Sequence, residues 1–289
     1  MKRSSIAILV VSLCLVAGTV SASWLEDSLQ KLADPASKER KILSGATQVL
    51  SSAKDVDYST ERTIGESLAL EGLQRFGMPV NNELLQQYVN LVGNAVARNS
   101  KRSTIPYQFA VLDSRVQNAF AAPGGVIFIS RALLGVLGSE AELAAVLAHE
   151  VGHVAGKHAL KSTQRAQFLE GVGTITAATM KADKGKKFES LIGDLQSVLF
   201  DKGLDKGMEF EADLASMETL YRTGYDPSAL IGVLEKLQKL EASSDKKGSW
   251  FSTHPPLDER IARLKGQLKK YPDYATLAKV QGRFATRGK

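Results

Sequence analysis

The stretch Ser139-Glu140-Ala141-Glu142-Leu143-Ala144-Ala145-Val146-Leu147-Ala148-His149-Glu150-Val151-Gly152-His153 decides how this chain is read. Ser139-Glu140-Ala141-Glu142 has the form of a capping box, so a helix begins at Ser139. Leu143 to Ala148 is almost wholly apolar, which predicts a buried helix rather than a surface one. Yet this helix carries His149, Glu150 and His153. Residues four apart on a helix share a face, so both imidazoles can reach one metal ion. Glu150 is rotated by about 100° from His149. It borders the metal without binding it, where a carboxylate can take a proton from an activated water. An accidental match is weighed against two facts. The chain has four histidines and two fall at this spacing, and unpaired charge in an apolar helix is expensive. Gly152 and Gly156 are poor helix residues. Either they let a neighbouring element come close or they are merely tolerated.

Two histidines do not complete a zinc site. In the pattern HExxHxxGxxH a third histidine follows, and Gly156 fits it, but position 159 is Ala159. His158 misses by one residue, about 100° off the required direction. It is read as a residue behind the ligands or at the surface. A glutamate from a later helix is the other solution. Glu170 and Glu189 lack acidic company at helical spacing, whereas Glu209-Phe210-Glu211-Ala212-Asp213 has it. Glu209 and Asp213 share a face and Glu211 points away. Glu209 can bind zinc, and Asp213 can accept the free N–H of a ligand histidine. Taken alone, this segment also fits an ordinary acidic surface helix.

Working outward, the N-terminus shows Lys2 and Arg3, an apolar run from Ile6 to Ala17, and the small residues Val20-Ser21-Ala22. This reads as a signal peptide over residues 1–22, cleaved after Ala22, with a retained anchor as the alternative. Cys14 is the only cysteine and lies inside it, so the mature chain has no disulfide partner, and His, Asp or Glu must hold any metal. The charge is +6 over 289 residues. Its lysines are scattered, without a basic stripe interleaved with aromatics, so no nucleic-acid partner is expected.

The remainder, 23–289, reads as one domain. Helices are expected over 23–100: Trp24 to Leu32, Ser37 to about Lys54, one opening at Ser59 or Thr60, and one from Asn81 or Asn82 to Ala97. The last has Leu84, Leu85, Tyr88, Leu91 and Val92 on its apolar face. A core spans about 101–270, followed by a short tail. Tyr107 to Leu112, Val116 to Ala121 and Val126 to Ile129 alternate like strands, with Pro123-Gly124-Gly125 as a turn. They predict a small antiparallel sheet beside the metal helix. The fold class is α+β, mostly helical and zincin-like. Asp226-Pro227 opens a further helix, and Ser243 to Pro256 is a long loop.

HEVGHVAGKH followed by EFEAD resembles the HtpX and CAAX-prenyl-protease family of zinc metallopeptidases, in particular its soluble secreted branch related to BepA and Oma-type proteases. Residues 118–129 (NAFAAPGGVIFI) and Thr253 to Ile261 (THPPLDERI) agree, and the match covers about residues 60–265. The resemblance implies a gluzincin-type endopeptidase with one zinc ion per chain. His149, His153 and Glu209 match its ligands, Glu150 its catalytic base, and Asp213 its supporting aspartate. The multiple membrane spans of other members are not expected here, nor is a helical-repeat array after residue 270.

Substrates are expected to be unfolded or misfolded envelope proteins, their extended backbone paired with an exposed strand at Asn118, Ala119, Phe120 and Ala121. The expected location is the periplasm, with outer-membrane association left open. His254 has two readings. It stabilises an oxyanion together with Arg260, or it swings in as a fourth zinc ligand and leaves the enzyme latent. Gly171 to Met180 is apolar and small, too short for a span, and leaves a peripheral membrane contact open. A chaperone-like binding protein with little turnover is the competing function.

Overall fold

The computed structural model describes residues 56–169, 184–241, 254 and 257–288. The expected signal peptide, the helices before residue 55, the Gly171 to Met180 stretch and most of the 243–256 loop lie outside these residues. Within them, ten α-helices and three strands follow in order: α1 Tyr58–Phe76, α2 Glu83–Ala97, β1 Gln108–Leu112, β2 Ala119–Ala122, β3 Val126–Ser130, α3 Arg131–Val136, α4 Glu140–Gly156, α5 His158–Leu169, α6 Lys184–Ser197, α7 Lys206–Thr223, α8 Ala229–Glu241, α9 Leu257–Gln267 and α10 Gln281–Arg287. The fold is the mostly helical α+β class expected. Among the described residues no helix is long and apolar enough to cross a membrane.

The helix starts follow their caps. Asp57, rather than Ser59 or Thr60, caps α1 by accepting from Thr60 N, and Asn82 caps α2. Ser139 caps α4 by accepting from Glu142 N at 3.2 Å. Asp226 organises a turn before α8, its carboxylate accepting from Ser228 N at 2.8 Å. The seam of α2 is narrower than its composition suggests. Leu85, Tyr88, Val89, Val92 and Val96 are buried, but Leu84 and Leu91 are 71% and 72% exposed. They lie seven apart, on the flank of the stripe rather than on it.

The sheet is mixed, which corrects the antiparallel expectation. The order is β1-β3-β2. β2 and β3 form the expected hairpin around Pro123-Gly124-Gly125, with Phe120 opposite Phe128, but β1 runs parallel to β3, with Ala110 beside Phe128. β3 thus inserts between its two predecessors. Both faces of the sheet are covered, so nearly every strand residue is apolar. Alternation then sorts the side chains. Phe109, Val111, Ala121, Ile127 and Ile129 join the core of α2, α4, α7 and α8. Ala110, Leu112, Phe120, Val126 and Phe128 join a second core with α1 and α6. At Gly65 a Cβ would stand 1.7 Å from Pro123 O, so α1 lies directly on the hairpin turn.

The HExxH helix α4 is anchored at its first residue. Buried Glu140 accepts from Tyr88 Oη at 2.8 Å, Tyr225 Oη at 2.6 Å and Arg283 Nε at 2.5 Å. These bonds join α2, the α7–α8 turn and the C-terminal α10 to its N-terminus. Burial pushes the Glu140 carboxyl up, but Arg283 and the two phenols outweigh it and hold it below the ordinary range. A depressed carboxyl stabilises the fold above its unfolded pKa and loses that contribution as pH falls through its folded value. Glu140→Gln is therefore expected to lower stability at neutral pH by about 1.5–3 kcal/mol, the range for hydrogen bonds to a charged group. The gap from wild type should narrow as chemical denaturation is repeated toward acid pH. A gap independent of pH contradicts this role.

Candidate metal centre

The candidate ligands meet because α7 lies along α4 without an intervening layer. A Cβ on Gly152 would lie 3.1 Å from Ala212 O and 3.3 Å from Ala215 Cβ. The glycine therefore permits the close approach of the two helices. Ser216 Oγ donates to Ala145 O at 3.0 Å and fixes the register of the two helices. Glu209 and Asp213 are buried and face α4, while the Glu211 side chain is 58% exposed.

His149, His153, Glu209 and His254 are all buried and offer one ligand atom each within 4.8 Å of one another. The two Nε2 atoms lie 3.0 Å apart. Glu209 Oε2 is 3.6 Å from His149 Nε2, and its Oε1 is 3.4 Å from His153 Nε2. Neither Glu209 oxygen accepts a hydrogen bond among the described residues. Two imidazole nitrogens and a carboxylate converging in a buried pocket suit a divalent ion of zinc's preferences. Such an ion relieves the crowding of donor atoms that would otherwise face each other.

Asp213 sits where the spacing predicts, with Oδ1 3.1 Å from His149 Nδ1. Arg260 of α9 departs from its expected oxyanion role. It is fully buried, donates from Nε and Nη2 to Asp213 at 2.8 and 2.6 Å, and donates from Nη1 to His254 O at 2.7 Å. Its Nη1 is also 3.0 Å from Glu209 Oε2. Arg260 is thus committed to the carboxylates and to the backbone of His254.

The charges follow from this packing. Burial pushes Asp213 and Glu209 up, but Arg260 outweighs it at Asp213, and His254 with Arg260 outweighs it at Glu209, so both carboxyls lie below their ordinary range. Burial and the neighbouring histidines drive His153 well below its usual value, toward the neutral form a ligand needs. At His149 burial is outweighed by Asp213 and Glu209, which lift it to about 9. Carboxylates that attract a proton there attract a metal cation to the same place.

Glu150 lines a cleft of about 470 Å³, open mouth included, together with His153, His254, Phe120, Ala121, Leu160 and Leu199. His254 Nε2 is 3.7 Å from Glu150 Oε1. β2 is an edge strand, but it is not exposed as expected: Asn118, Ala119, Phe120 and Ala121 are all buried. His158 is buried too, which excludes the surface reading, and its Nδ1 lies 2.9 Å from His153 Nδ1. The other reading, a residue behind the ligands, fits this contact, though the spacing argument assumes one continuous helix. In fact α4 ends at Gly156, and Lys157 takes a left-handed conformation with φ 52 that turns His158 back.

Fold and site together bring an HExxH helix and a glutamate from a second helix into a cluster that could hold a metal ion. The chain belongs to peptidase family M48, which matches residues 83–268. It is 30% identical over 214 residues to a beta-barrel assembly-enhancing protease of Yersinia pestis, covering 71% of this chain and 43% of that protein. It is 30% identical over 190 residues to metalloprotease LoiP of Escherichia coli strain K12, covering 66% and 73% respectively. A mitochondrial metalloendopeptidase OMA1 of Schizosaccharomyces pombe is 26% identical over 220 residues, covering 74% and 63%. The chain thus spans less than half the length of the assembly-enhancing proteases it matches.

Proposed function

We propose that this chain is a zinc endopeptidase that cleaves unfolded or misassembled envelope proteins in the periplasm and is latent at rest. The observation that carries the reading is the convergence of His149, His153 and Glu209 with Glu150 on one cleft. The envelope role is supported by the sequence of residues 1–22 and by the name of the beta-barrel assembly-enhancing relatives.

When bound, zinc supplies the Lewis acidity that brings a water's pKa toward neutrality. The residues do the rest. Glu150 accepts the proton of the attacking water and hands it to the leaving amine. Asp213 holds the His149 ring, and Arg260 holds Asp213, Glu209 and the His254 backbone. Phe120 and Ala121 line the cleft, but residues 118–121 are buried, so an extended substrate backbone pairs with the β2 edge only once its cover is displaced. Selection by backbone favours unfolded segments over particular side chains.

Latency is supported by His254, which offers the fourth donor within the 4.8 Å cluster and lies next to Glu150. The test is digestion of a denatured protein by wild type and His254→Ala, with and without chelator. Activity should rise in His254→Ala and vanish with chelator. A fall in His254→Ala restores the oxyanion reading, and cleavage indifferent to chelator rejects the metal mechanism. The binding-protein alternative is favoured if neither protein cleaves.

A further inference from the structure

We propose that His158, backed by Glu211, is a positioning residue that orients His153 toward the metal. The inference rests on the zinc reading above and extends it to groups behind the ligands. A neutral imidazole that offers its Nε2 lone pair carries its proton on Nδ1, and that proton needs an acceptor. For His149 the acceptor is Asp213, at 3.1 Å. For His153 the group at that distance is another imidazole, His158 Nδ1 at 2.9 Å. His153 therefore donates and His158 accepts, which leaves the His158 proton on Nε2. That atom faces Glu211 Oε2 at 3.5 Å. The 2.9 Å contact thus fixes the tautomer of both rings and the direction of the His153 lone pair, while Glu211, too far to accept a hydrogen bond from Nε2, acts on it through its charge. Such partners tune ligands from behind without touching the ion.

The local fold is built around this ring. The left-handed Lys157 ends α4 and starts α5 at His158. A Cβ on Gly156 would stand 2.1 Å from His158 Nε2, so the imidazole fills the space a side chain would take. His158 is 1% exposed. Glu211, between Glu209 and Asp213 on α7, thereby gains a use despite facing away from the ligands. The two ligand histidines are steadied differently, one by a carboxylate clamped by Arg260, the other by a neutral ring with a carboxylate beyond it.

The test compares His158→Asn with His158→Leu in the full chain. Asn Oδ1 lies as many bonds from the backbone as His Nδ1 and keeps an acceptor, whereas Leu has none. Zinc affinity is read by competition with a chromogenic chelator, with kcat, KM and the melting midpoint alongside. His158→Leu should bind zinc about 10–100-fold more weakly and lose kcat at saturating zinc with KM unchanged. His158→Asn should recover most of the affinity. Glu211→Ala, at an exposed side chain, preserves the fold and should weaken zinc binding in the same direction by a smaller factor. Wild-type affinity in His158→Leu, or an equal loss in His158→Asn, overturns the positioning role. Unchanged affinity in Glu211→Ala removes Glu211 from it. A wild type that binds no zinc overturns the zinc reading itself, whereas a zinc-binding wild type matched by His158→Leu overturns only this inference.

Discussion

Glu150→Gln is expected to abolish peptide cleavage while leaving metal content and fold intact. The side chain is fully enclosed beside the ligands, on the cleft wall. Glutamine keeps its size and its hydrogen-bonding oxygen but cannot take a proton at neutral pH. Removing a general base costs about 10²–10⁴-fold in rate. The variant is also uncharged, so no new buried charge is created and stability should not fall. The comparison belongs in both the wild-type and His254→Ala backgrounds, because latency could hide the difference in the first. Equal cleavage by Glu150→Gln and Glu150 proteins in the activated background rejects Glu150 as the base.

Arg260→Leu is expected to be among the most destabilising single changes in the described core. Its guanidinium is completely buried and serves Asp213, Glu209 and the His254 carbonyl at once. Leucine leaves two buried carboxylates without that counter-charge. Breaking a buried pair from one side costs about 3–5 kcal/mol, and at about 2–4 °C per kcal/mol the melting midpoint should fall by about 6–20 °C. A bound divalent ion compensates Glu209 in part, so the metal-free variant should lose more than the metal-loaded one. Arg260→Lys should rescue only partly, because an ammonium lacks the fork that meets both Asp213 oxygens. An unchanged midpoint in Arg260→Leu contradicts the clamp.

The site was legible where it obeys helical arithmetic. His149, Glu150 and His153 lie on one helix, and Glu209 and Asp213 on another. A spacing of four residues means the same thing on both. The capping box at Ser139 and the hairpin at Pro123-Gly124-Gly125 were legible for the same reason, since local signals fix local geometry. The rest depends on contacts between distant segments. Nothing in β1 states that β3 will slip between it and β2, so sequential pairing suggested an antiparallel sheet. Leu84 and Leu91 are as apolar as Leu85, and only the placement of β1 and α4 decides which leucines are covered. His158 was legible as a residue behind the ligands, but its contact with His153 depends on Lys157 entering the left-handed region, which a non-glycine residue rarely signals. Arg260 resembled an oxyanion donor because the sequence does not show that Asp213 and Glu209 already engage it.

Activity is an indirect witness if the resting enzyme is latent, so the central claim is tested most directly by metal analysis. Elemental measurement on the full chain, purified without added metal, is compared with Glu209→Ala treated identically. The account predicts about one zinc per wild-type chain, as a site of three protein ligands requires, and a clear loss of zinc in Glu209→Ala. Wild-type protein without stoichiometric zinc, or with zinc that Glu209→Ala retains in full, would contradict it.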